Sequence, residues 1–352
     1  MRWKVSLVII PLFLLAPFIG LAGSLVGFEE KAQALSLPIQ NINEGVNSVE
    51  ESLSALRHSA TVMSEIVAQQ EREYQEQQQI LQELASRSQE HKQNSDQIYE
   101  ERILAMLGPP VETFSSKRVE IKVFKLDELG YRGYIAKVKL FDPQAVKVVL
   151  GRDTLGRTET TSSAVKRTGA VLGINGGGFY SSVQGGQTRI MPIGNTVIDG
   201  KLVNHDFSPS NGDVFFAGIN RNGKMIGGKF YDKETLMSLH PLQGVSFLPV
   251  LIKDGQPLSV PKEWATTKQP RTIIGEYANG DFILIVVDGR QSDWSSGVTL
   301  ERLQIKLAEL GVKEGYNLDG GGSSTFIFQG RTLNRPSDGK QRPVATNIVI
   351  LP

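Results

Sequence analysis

Residues 316–326 have types and a spacing that could do chemistry. An apolar run ends at Asp319, and three glycines and three hydroxyl residues follow it. Successive N–H groups of a glycine turn can bind an anion, and Asp319 adds a carboxylate where the strand ends. A polar turn of this kind after a strand is a common place for a site, and a plain glycine turn is the alternative. The residues after Asp319 are Gly320, Gly321, Gly322, Ser323, Ser324 and Thr325.

A second turn has the same outline. The apolar run that ends at Ile174 is followed by Asn175, Gly176, Gly177 and Gly178. Both turns can bring backbone against one ligand. The presence of two such turns therefore favours a shared site more than either turn would alone.

A third apolar run also ends in an acidic residue. Residues 282–287 are continuously apolar, as expected for a strand buried on both faces, and Asp288-Gly289-Arg290 follows them. The sequence therefore offers two carboxylates, Asp288 and Asp319, that each end an apolar strand.

The composition excludes several classes of protein. The chain has 352 residues with 38 Lys and Arg against 37 Asp and Glu, so overall charge does not favour a nucleic-acid partner. Cysteine is absent and only four histidines occur, which excludes Cys-ligated metal sites. The C-terminal half contains only His205 and His240, too few for three-His zinc chemistry. No P-loop, G-x-S-x-G or H-E-x-x-H motif is present.

The N-terminal segment is apolar enough for a membrane. Residues 5–28 carry no charge, and Arg2 and Lys4 precede them, which predicts an N-terminus in the cytoplasm and the remainder outside. The run exceeds the roughly 7–15 apolar residues of a signal peptide, which favours an uncleaved anchor within residues 1–34. The alternative is a secreted protein cleaved after Ala34, because residues 32–34 have the A-x-A form.

The next segment has the pattern of a coiled coil. Apolar residues recur at alternating spacings of three and four, and no proline occurs from residue 39 to residue 107. We predict a stalk over residues 35–108 that joins copies of the chain into a dimer or trimer and ends at Gly108-Pro109-Pro110. An amphipathic helix folded onto its own domain is the alternative. The seam positions are Ile39, Ile42, Val46, Val49, Leu53, Leu56, Ala60, Met63 and Val67.

The remaining residues, 109–352, predict an α+β (mixed α/β) domain. Short alternating strands begin at Val119, and turn signals separate them along the rest of the chain. A helix is predicted over residues 161–169 and another from Thr299 to Leu310, with Thr299 as its cap. We expect a strand-rich domain with a mixed central sheet and few helices.

Several motifs of this domain come in an order that resembles the phosphodiester glycosidase domain family. The resemblance covers roughly residues 115–352, and the first glycine turn departs from the usual family pattern by one extra glycine and a tyrosine. The motifs include Gly173-Ile-Asn-Gly-Gly-Gly-Phe-Tyr180, Pro270-Arg-Thr-Ile-Ile-Gly275, Val287-Asp-Gly-Arg290, Asn317-Leu-Asp-Gly-Gly-Gly-Ser-Ser324, Pro336-Ser337-Asp338 and Arg342-Pro343-Val344.

This resemblance implies hydrolysis of a sugar-1-phosphodiester at the sugar carbon. Asp319 and Asp288 are then the expected catalytic carboxylates, since glycosidases generally use two. Arg271 and Arg290 would hold the phosphate, and Asn175 and Asn195 would bind sugar hydroxyl groups. The two glycine turns would complete the substrate site with Gly176, Gly177, Gly320, Gly321, Gly322, Ser323 and Ser324.

Neither the substrate nor a cofactor follows from the resemblance. Bacterial members often act on cell-envelope polysaccharides, so an envelope or exopolysaccharide phosphodiester is expected. No ligand spacing demands a metal or other cofactor, although carboxylates and carbonyl groups suit Ca²⁺ or Mg²⁺. A glycan-binding envelope protein without catalysis is the alternative function.

Overall fold

The computed structural model describes residues 39–203 and 206–352. The predicted membrane segment and the A-x-A site lie outside these residues. Within them, no helix combines the length and the apolar character that crossing a bilayer requires.

Five helices and twenty strands make up the described chain. The helices are α1 (Ile39–Leu107), α2 (Thr161–Thr168), α3 (Lys233–Ser238), α4 (Lys262–Ala265) and α5 (Leu300–Glu309). The first ten strands are β1 (Glu112–Ser115), β2 (Val119–Glu128), β3 (Tyr131–Leu140), β4 (Val146–Leu150), β5 (Leu172–Asn175), β6 (Phe179–Gln184), β7 (Gln187–Pro192), β8 (Val197–Ile198), β9 (Lys201–Leu202) and β10 (Phe215–Asn220). The others are β11 (Met225–Gly228), β12 (Pro241–Phe247), β13 (Val250–Lys253), β14 (Gln256–Pro257), β15 (Arg271–Tyr277), β16 (Phe282–Val287), β17 (Val312–Leu318), β18 (Phe326–Phe328), β19 (Arg331–Thr332) and β20 (Thr346–Ile350).

The chain divides into two compact units, with the boundary after Ser88. The described part of the first unit is helix α1 alone, whose seam residues from Val46 to Val67 face solvent. Leu53 is 47% exposed and Leu56 is 68% exposed. Large apolar side chains on a helix at this exposure are unusual unless a partner covers them.

The second unit, Gln89–Pro352, includes the last turns of α1. Ile103 is buried there, and the Tyr99 hydroxyl donates to the Gly311 carbonyl at 2.6 Å. The compact unit thus begins inside the segment predicted as stalk. The helix ends at Leu107, before the predicted Gly108-Pro109 stop.

Every strand pairing in the described residues is antiparallel, so the expected mixed sheet is wrong. An eight-stranded sheet has the order β1-β2-β3-β16-β15-β17-β13-β14. Two five-stranded sheets and the hairpin β6–β7 complete the unit; their orders are β11-β10-β12-β8-β9 and β19-β18-β5-β20-β4. The domain is strand-rich with few helices, as predicted.

Both faces of the eight-stranded sheet are covered. Leu284 faces a core shared with the two five-stranded sheets, whereas Ile285 faces a second core beneath α5 and the end of α1. Alternate residues of β16 therefore enter different cores, which explains its continuous apolar run. Helix α5 begins where predicted, because the Thr299 side chain accepts from the Arg302 N–H group.

One end of this sheet gathers the predicted site residues. Val287 pairs with Arg271, and Thr272 pairs with Leu318, so the residues after β16 and β17 emerge at the same end. Strands β16 and β17 are two steps apart, which is about 10 Å at the usual strand spacing.

Candidate active site

Asp319 is the carboxylate at the end of β17, where it is partly open to solvent. Partial burial of the carboxyl group raises its pKa to about 6, and the Ser323 hydroxyl, the Arg342 charge and the Gly320 N–H group oppose that rise. A carboxyl group with this pKa changes protonation state close to neutral pH. It can therefore serve as an acid, a base or a nucleophile.

The glycine turn after Asp319 does not offer the predicted row of free N–H donors. Residues Gly321–Ser323 form a single 3₁₀ turn. The N–H group of Gly321 donates to the Pro270 carbonyl at 2.9 Å, and the Ser323 and Ser324 N–H groups donate within the turn, each at 3.2 Å. An anion would find little backbone donor capacity here, because the turn uses most of it internally.

The glycines instead admit two arginine side chains. A Cβ atom on Gly321 would lie 3.0 Å from Nη2 of Arg290. A Cβ atom on Gly322 would lie 2.0 Å from Nη2 of Arg342 and 2.3 Å from Oδ2 of Asp338. The absence of side chains at these two positions is therefore what lets both guanidinium groups approach the turn.

Both guanidinium groups are held by neighbouring side chains. Nε of Arg290 donates to Oε1 of Gln269 at 2.7 Å, and Nη2 of Arg342 donates to Oδ2 of Asp338 at 2.8 Å. Guanidinium groups bind phosphate oxygens with paired donors. Two of them beside one turn, with Asp319 next to it, suit a phosphodiester group.

Asn175 is fully buried, and its amide group is already used. Its Nδ2 donates to the Asp319 carbonyl, and its Oδ1 accepts from Oγ1 of Thr272 at 2.9 Å and from the Thr325 N–H at 3.1 Å. Asn175 thus fixes the backbone on both sides of the second glycine turn. Because Asn175 is fully buried, its side chain does not reach the sugar hydroxyl that the sequence assigned to it.

The first glycine turn packs against strands. A Cβ atom on Gly176 would lie 2.5 Å from Oγ1 of Thr346, and one on Gly177 would lie 2.5 Å from the Ser246 carbonyl. The Gly176 carbonyl accepts from the Asp319 N–H group at 3.3 Å. These glycines let β5 approach the neighbouring strands closely, and the Gly176 carbonyl holds the Asp319 backbone in place.

Asp288 is almost completely buried, and both of its carboxylate oxygens accept hydrogen bonds. Oδ2 accepts from Nε1 of Trp294 at 2.8 Å. Oδ1 accepts from Nδ2 of Asn334 at 3.0 Å and from the Arg335 N–H group at 2.9 Å. Burial raises the pKa of Asp288, while these three donors oppose the rise. The predicted catalytic role does not fit a buried carboxylate that accepts three hydrogen bonds from its neighbours; the geometry gives it a positioning role.

Arg271 is also turned inward. Its guanidinium group donates to three carbonyls, those of Thr267 at 2.8 Å, Val298 at 3.3 Å and Trp264 at 3.4 Å. Burial, and secondarily the charge of Arg290, lower its pKa to about 10. Arg271 holds the segment that carries Gln269, and so it supports Arg290 without facing the turn itself.

The Asn195 side chain makes its hydrogen bonds to Ser208 and not to the residues around Asp319. Its Nδ2 donates to the Ser208 carbonyl at 2.7 Å, and its Oδ1 accepts from the Ser208 N–H at 2.9 Å. Ser324 is buried, and Thr272 donates to its hydroxyl at 3.3 Å. The structure therefore brings together Asp319, Arg290 and the glycine turn, and it uses Asn175, Asp288, Arg271 and Ser324 as supports, whereas the Asn195 side chain binds the Ser208 backbone.

A family model described as "Phosphodiester glycosidase" matches residues 168–351, about half of the chain. The chain belongs to the phosphodiester glycosidase family. This family segment contains Asp319, both arginines at the turn and all the supporting residues described above.

Relatives agree with this membership. The chain is 31% identical over 195 residues to the SPbeta prophage-derived uncharacterized protein YomE of Bacillus subtilis, covering 54% of this chain and 29% of that protein. It is 26% identical over 253 residues to N-acetylglucosamine-1-phosphodiester alpha-N-acetylglucosaminidase of Mus musculus, covering 65% of this chain and 46% of that protein. The chain thus spans less than half the length of these curated relatives.

A solved structure has the same fold. The catalytic domain of zebrafish N-acetylglucosamine-1-phosphodiester alpha-N-acetylglucosaminidase, auto-inhibited by its pro-peptide, matches with a TM-score of 0.53 at 23% identity. The match covers 68% of this chain and 88% of that chain. This phosphodiester glycosidase domain therefore shares its architecture with that catalytic domain.

Sequence reasoning missed three groups that complete this phosphodiester glycosidase site. Arg342 and Asp338 belong to family motifs but were not predicted as site residues, although an Arg and an Asp close after the glycine turn were a usable signal. Gln269 gave no signal, because only the fold brings it to Arg290. Within the part of the chain that the structure describes, no group of three or more His, Asp or Glu side chains could hold a metal ion.

Proposed function

We propose that this chain hydrolyses a sugar-1-phosphodiester at the sugar carbon, producing a free sugar and a phosphomonoester. One observation carries the proposal. In a phosphodiester glycosidase domain, Asp319, whose pKa is about 6, lies next to the glycine turn that the Arg290 and Arg342 guanidinium groups approach. The named activity of the mouse relative is of this class.

In the proposed mechanism, the two guanidinium groups bind the phosphodiester and stabilise the charge that grows on its bridging oxygen. The bond between the sugar carbon and that oxygen breaks, and water supplies the new oxygen on the sugar. Asp319 in its ionised form removes a proton from this water or attacks the sugar carbon first. A phosphate leaving group is already acidic, so a second catalytic carboxyl group is not required. This accords with the burial of Asp288 and the three hydrogen bonds that it accepts.

The proposal is tested by hydrolysis of a sugar-1-phosphate methyl diester in ¹⁸O-labelled water by the purified chain. We expect release of reducing sugar that carries the label, with the Asp319→Asn variant inactive. Label in the phosphate instead of the sugar would mean that the phosphorus–oxygen bond breaks, and the proposal would then be wrong. Tight binding without turnover would favour the alternative, a glycan-binding protein.

We further propose that the chain is exported, is membrane-anchored or secreted, and acts on a cell-envelope or exopolysaccharide phosphodiester. The apolar residues 5–28 with Arg2 and Lys4 before them support export. Membrane fractionation of cells, and protease treatment of intact cells, would test it. A chain that remains protected from external protease in intact cells would contradict export.

We also propose that the exposed seam of α1 pairs with the same seam of further copies as a coiled coil. The support is the heptad spacing together with the exposure of Leu53 and Leu56. The seam variants described in the Discussion test this proposal.

A further inference from the structure

A pocket of about 250 Å³ opens at the same end of the eight-stranded sheet as Asp319. Lys125, Arg132, Tyr134 and Trp294 contribute to its wall. It adjoins the support of the active site directly, because Nε1 of Trp294 donates to Asp288 and the Asp288 N–H donates to the Arg132 carbonyl at 2.8 Å.

Two basic side chains, Lys125 and Arg132, and one acidic side chain, Asp127, line this pocket. The guanidinium carbons of Arg132 and Arg335 lie 4.6 Å and 3.9 Å from the centroid of the Trp294 ring. Arg132 pairs with Asp127 at 3.0 Å. Among the described residues, no carboxylate lies within ion-pair distance of Lys125 or Arg335. Lys125 in the pocket wall and Arg335 on the Trp294 ring are therefore cations without an ion pair in this part of the structure.

The pocket is separate from the arginine pair at the glycine turn. Strand β3 carries Arg132, and it is three strand steps from β17, which ends at Asp319. At the usual spacing this is about 14 Å. Because the cleaved phosphodiester is assigned to Arg290 and Arg342 at the glycine turn, an anion in this pocket would belong to another unit of the same substrate.

We propose that this pocket is a subsite for a second phosphodiester group, carried by the substrate beyond the bond that is cleaved. The proposal rests on the proposed function and specifies it further: the preferred substrate is a chain of sugars with repeated phosphodiester links. Trp294 and Arg132 form part of the wall of the subsite, Lys125 supplies charge within it, and Arg335 adds charge from the Trp294 ring.

The test compares two substrates with the same sugar-1-phosphodiester, one with a neutral aglycone and one whose aglycone carries a second phosphodiester. We expect a lower KM for the second substrate. The Lys125→Glu variant should raise that KM about fivefold at low salt and should change the KM of the neutral substrate much less. At about 1 M salt, where the Debye length is about 3 Å, the difference should disappear.

The matched control is Lys117→Glu, at the other end of the same β2 region. Lys117 is exposed like Lys125 and has no ion pair among the described residues, so its variant should leave both KM values unchanged. Equal KM values for the two substrates, or equal effects of the two variants, would overturn the subsite. Hydrolysis of the neutral substrate would still uphold the proposed function in that case.

If neither substrate is hydrolysed, calorimetric binding to the full chain decides between the two proposals. Tighter binding of the two-phosphate compound that is lost in Lys125→Glu and kept in Lys117→Glu would support the subsite without catalysis. Equal binding of both compounds would overturn it.

Discussion

Asp319 and Asp288 look alike in the sequence, since each ends an apolar strand and precedes glycine. Their surroundings differ: Asp319 is partly open and lies beside cations, whereas Asp288 is buried and accepts three hydrogen bonds. The sequence could predict that both carboxylates lie at one sheet end. It could not predict which one has free acceptor capacity, because Trp294 and Asn334 reach Asp288 only through loop conformation.

Replacing Asp319 by Asn should abolish hydrolysis and raise stability at pH 7. The folded-state pKa of about 6 lies above the ordinary value of 3.8, so the native protein releases this proton later than the unfolded chain does. Stability is therefore lost as pH rises from about 4 to about 6, and the neutral Asn avoids that loss. Because the residue is partly exposed, we expect a gain of about 1 kcal/mol in the free energy of unfolding, measured with urea. A less stable variant would contradict this.

Replacing Asp288 by Asn should destabilise the domain by about 2 kcal/mol, because one amide oxygen cannot accept from Trp294, Asn334 and the Arg335 N–H together. Because the variant is less stable, loss of hydrolysis alone would not show that Asp288 is catalytic. The variant should have a higher KM than the unmodified chain. Its kcat/KM should still fall as the pH drops below about 6, as in the unmodified chain. Loss of this decrease would show that Asp288 titrates in the reaction.

Replacing Gly322 by Ala should weaken phosphate binding about tenfold, since the new methyl group would displace the Arg342 side chain. The inhibition constant of inorganic phosphate measures this. Gly330→Ala is the control: its φ of 74° brings backbone strain, but nothing lies within 4 Å of the new Cβ. If inorganic phosphate has the same inhibition constant in both variants, Arg342 does not belong to the anion site.

At the scale of elements, spacing and capping predicted α1, α2, α5 and many of the strands, but not the short helices α3 and α4. The α5 cap at Thr299, the end of α1 before Gly108 and the two-sided burial of β16 follow from local chemistry. The direction of strand pairing does not, because it depends on which distant strands meet; the predicted mixed sheet was wrong for this reason. The close packing of Gly177 on the Ser246 carbonyl had the same distant origin.

The seam of α1 should determine the oligomeric state. A chain with Leu53→Glu and Leu56→Glu should sediment as a monomer, while Glu65→Lys, which lies off the seam, should sediment like the unmodified chain. Charged groups on the seam would face each other in an apolar interface and repel. An unmodified chain that is already monomeric would contradict the coiled coil.

For the molecule as a whole, the pH dependence of turnover should follow Asp319. Since the reaction needs its ionised form, kcat/KM should fall about tenfold for each pH unit below about 6. The measurement uses the sugar-1-phosphate methyl diester across the acidic range. A profile that stays flat below pH 5 would exclude Asp319 as base or nucleophile.

The strand order of the eight-stranded sheet also has a consequence for how the chain acquires its structure. Strands β2 and β3 are neighbours in the chain and can pair once both have been synthesised, but β3 can pair with β16, where Ile135 meets Ile285, only much later. Pairings between such distant residues form slowly. Strand β17 then joins on the far side of β15. A growing chain that has reached only Arg290 already contains Asp288, yet its sheet still lacks the strand that ends at Asp319.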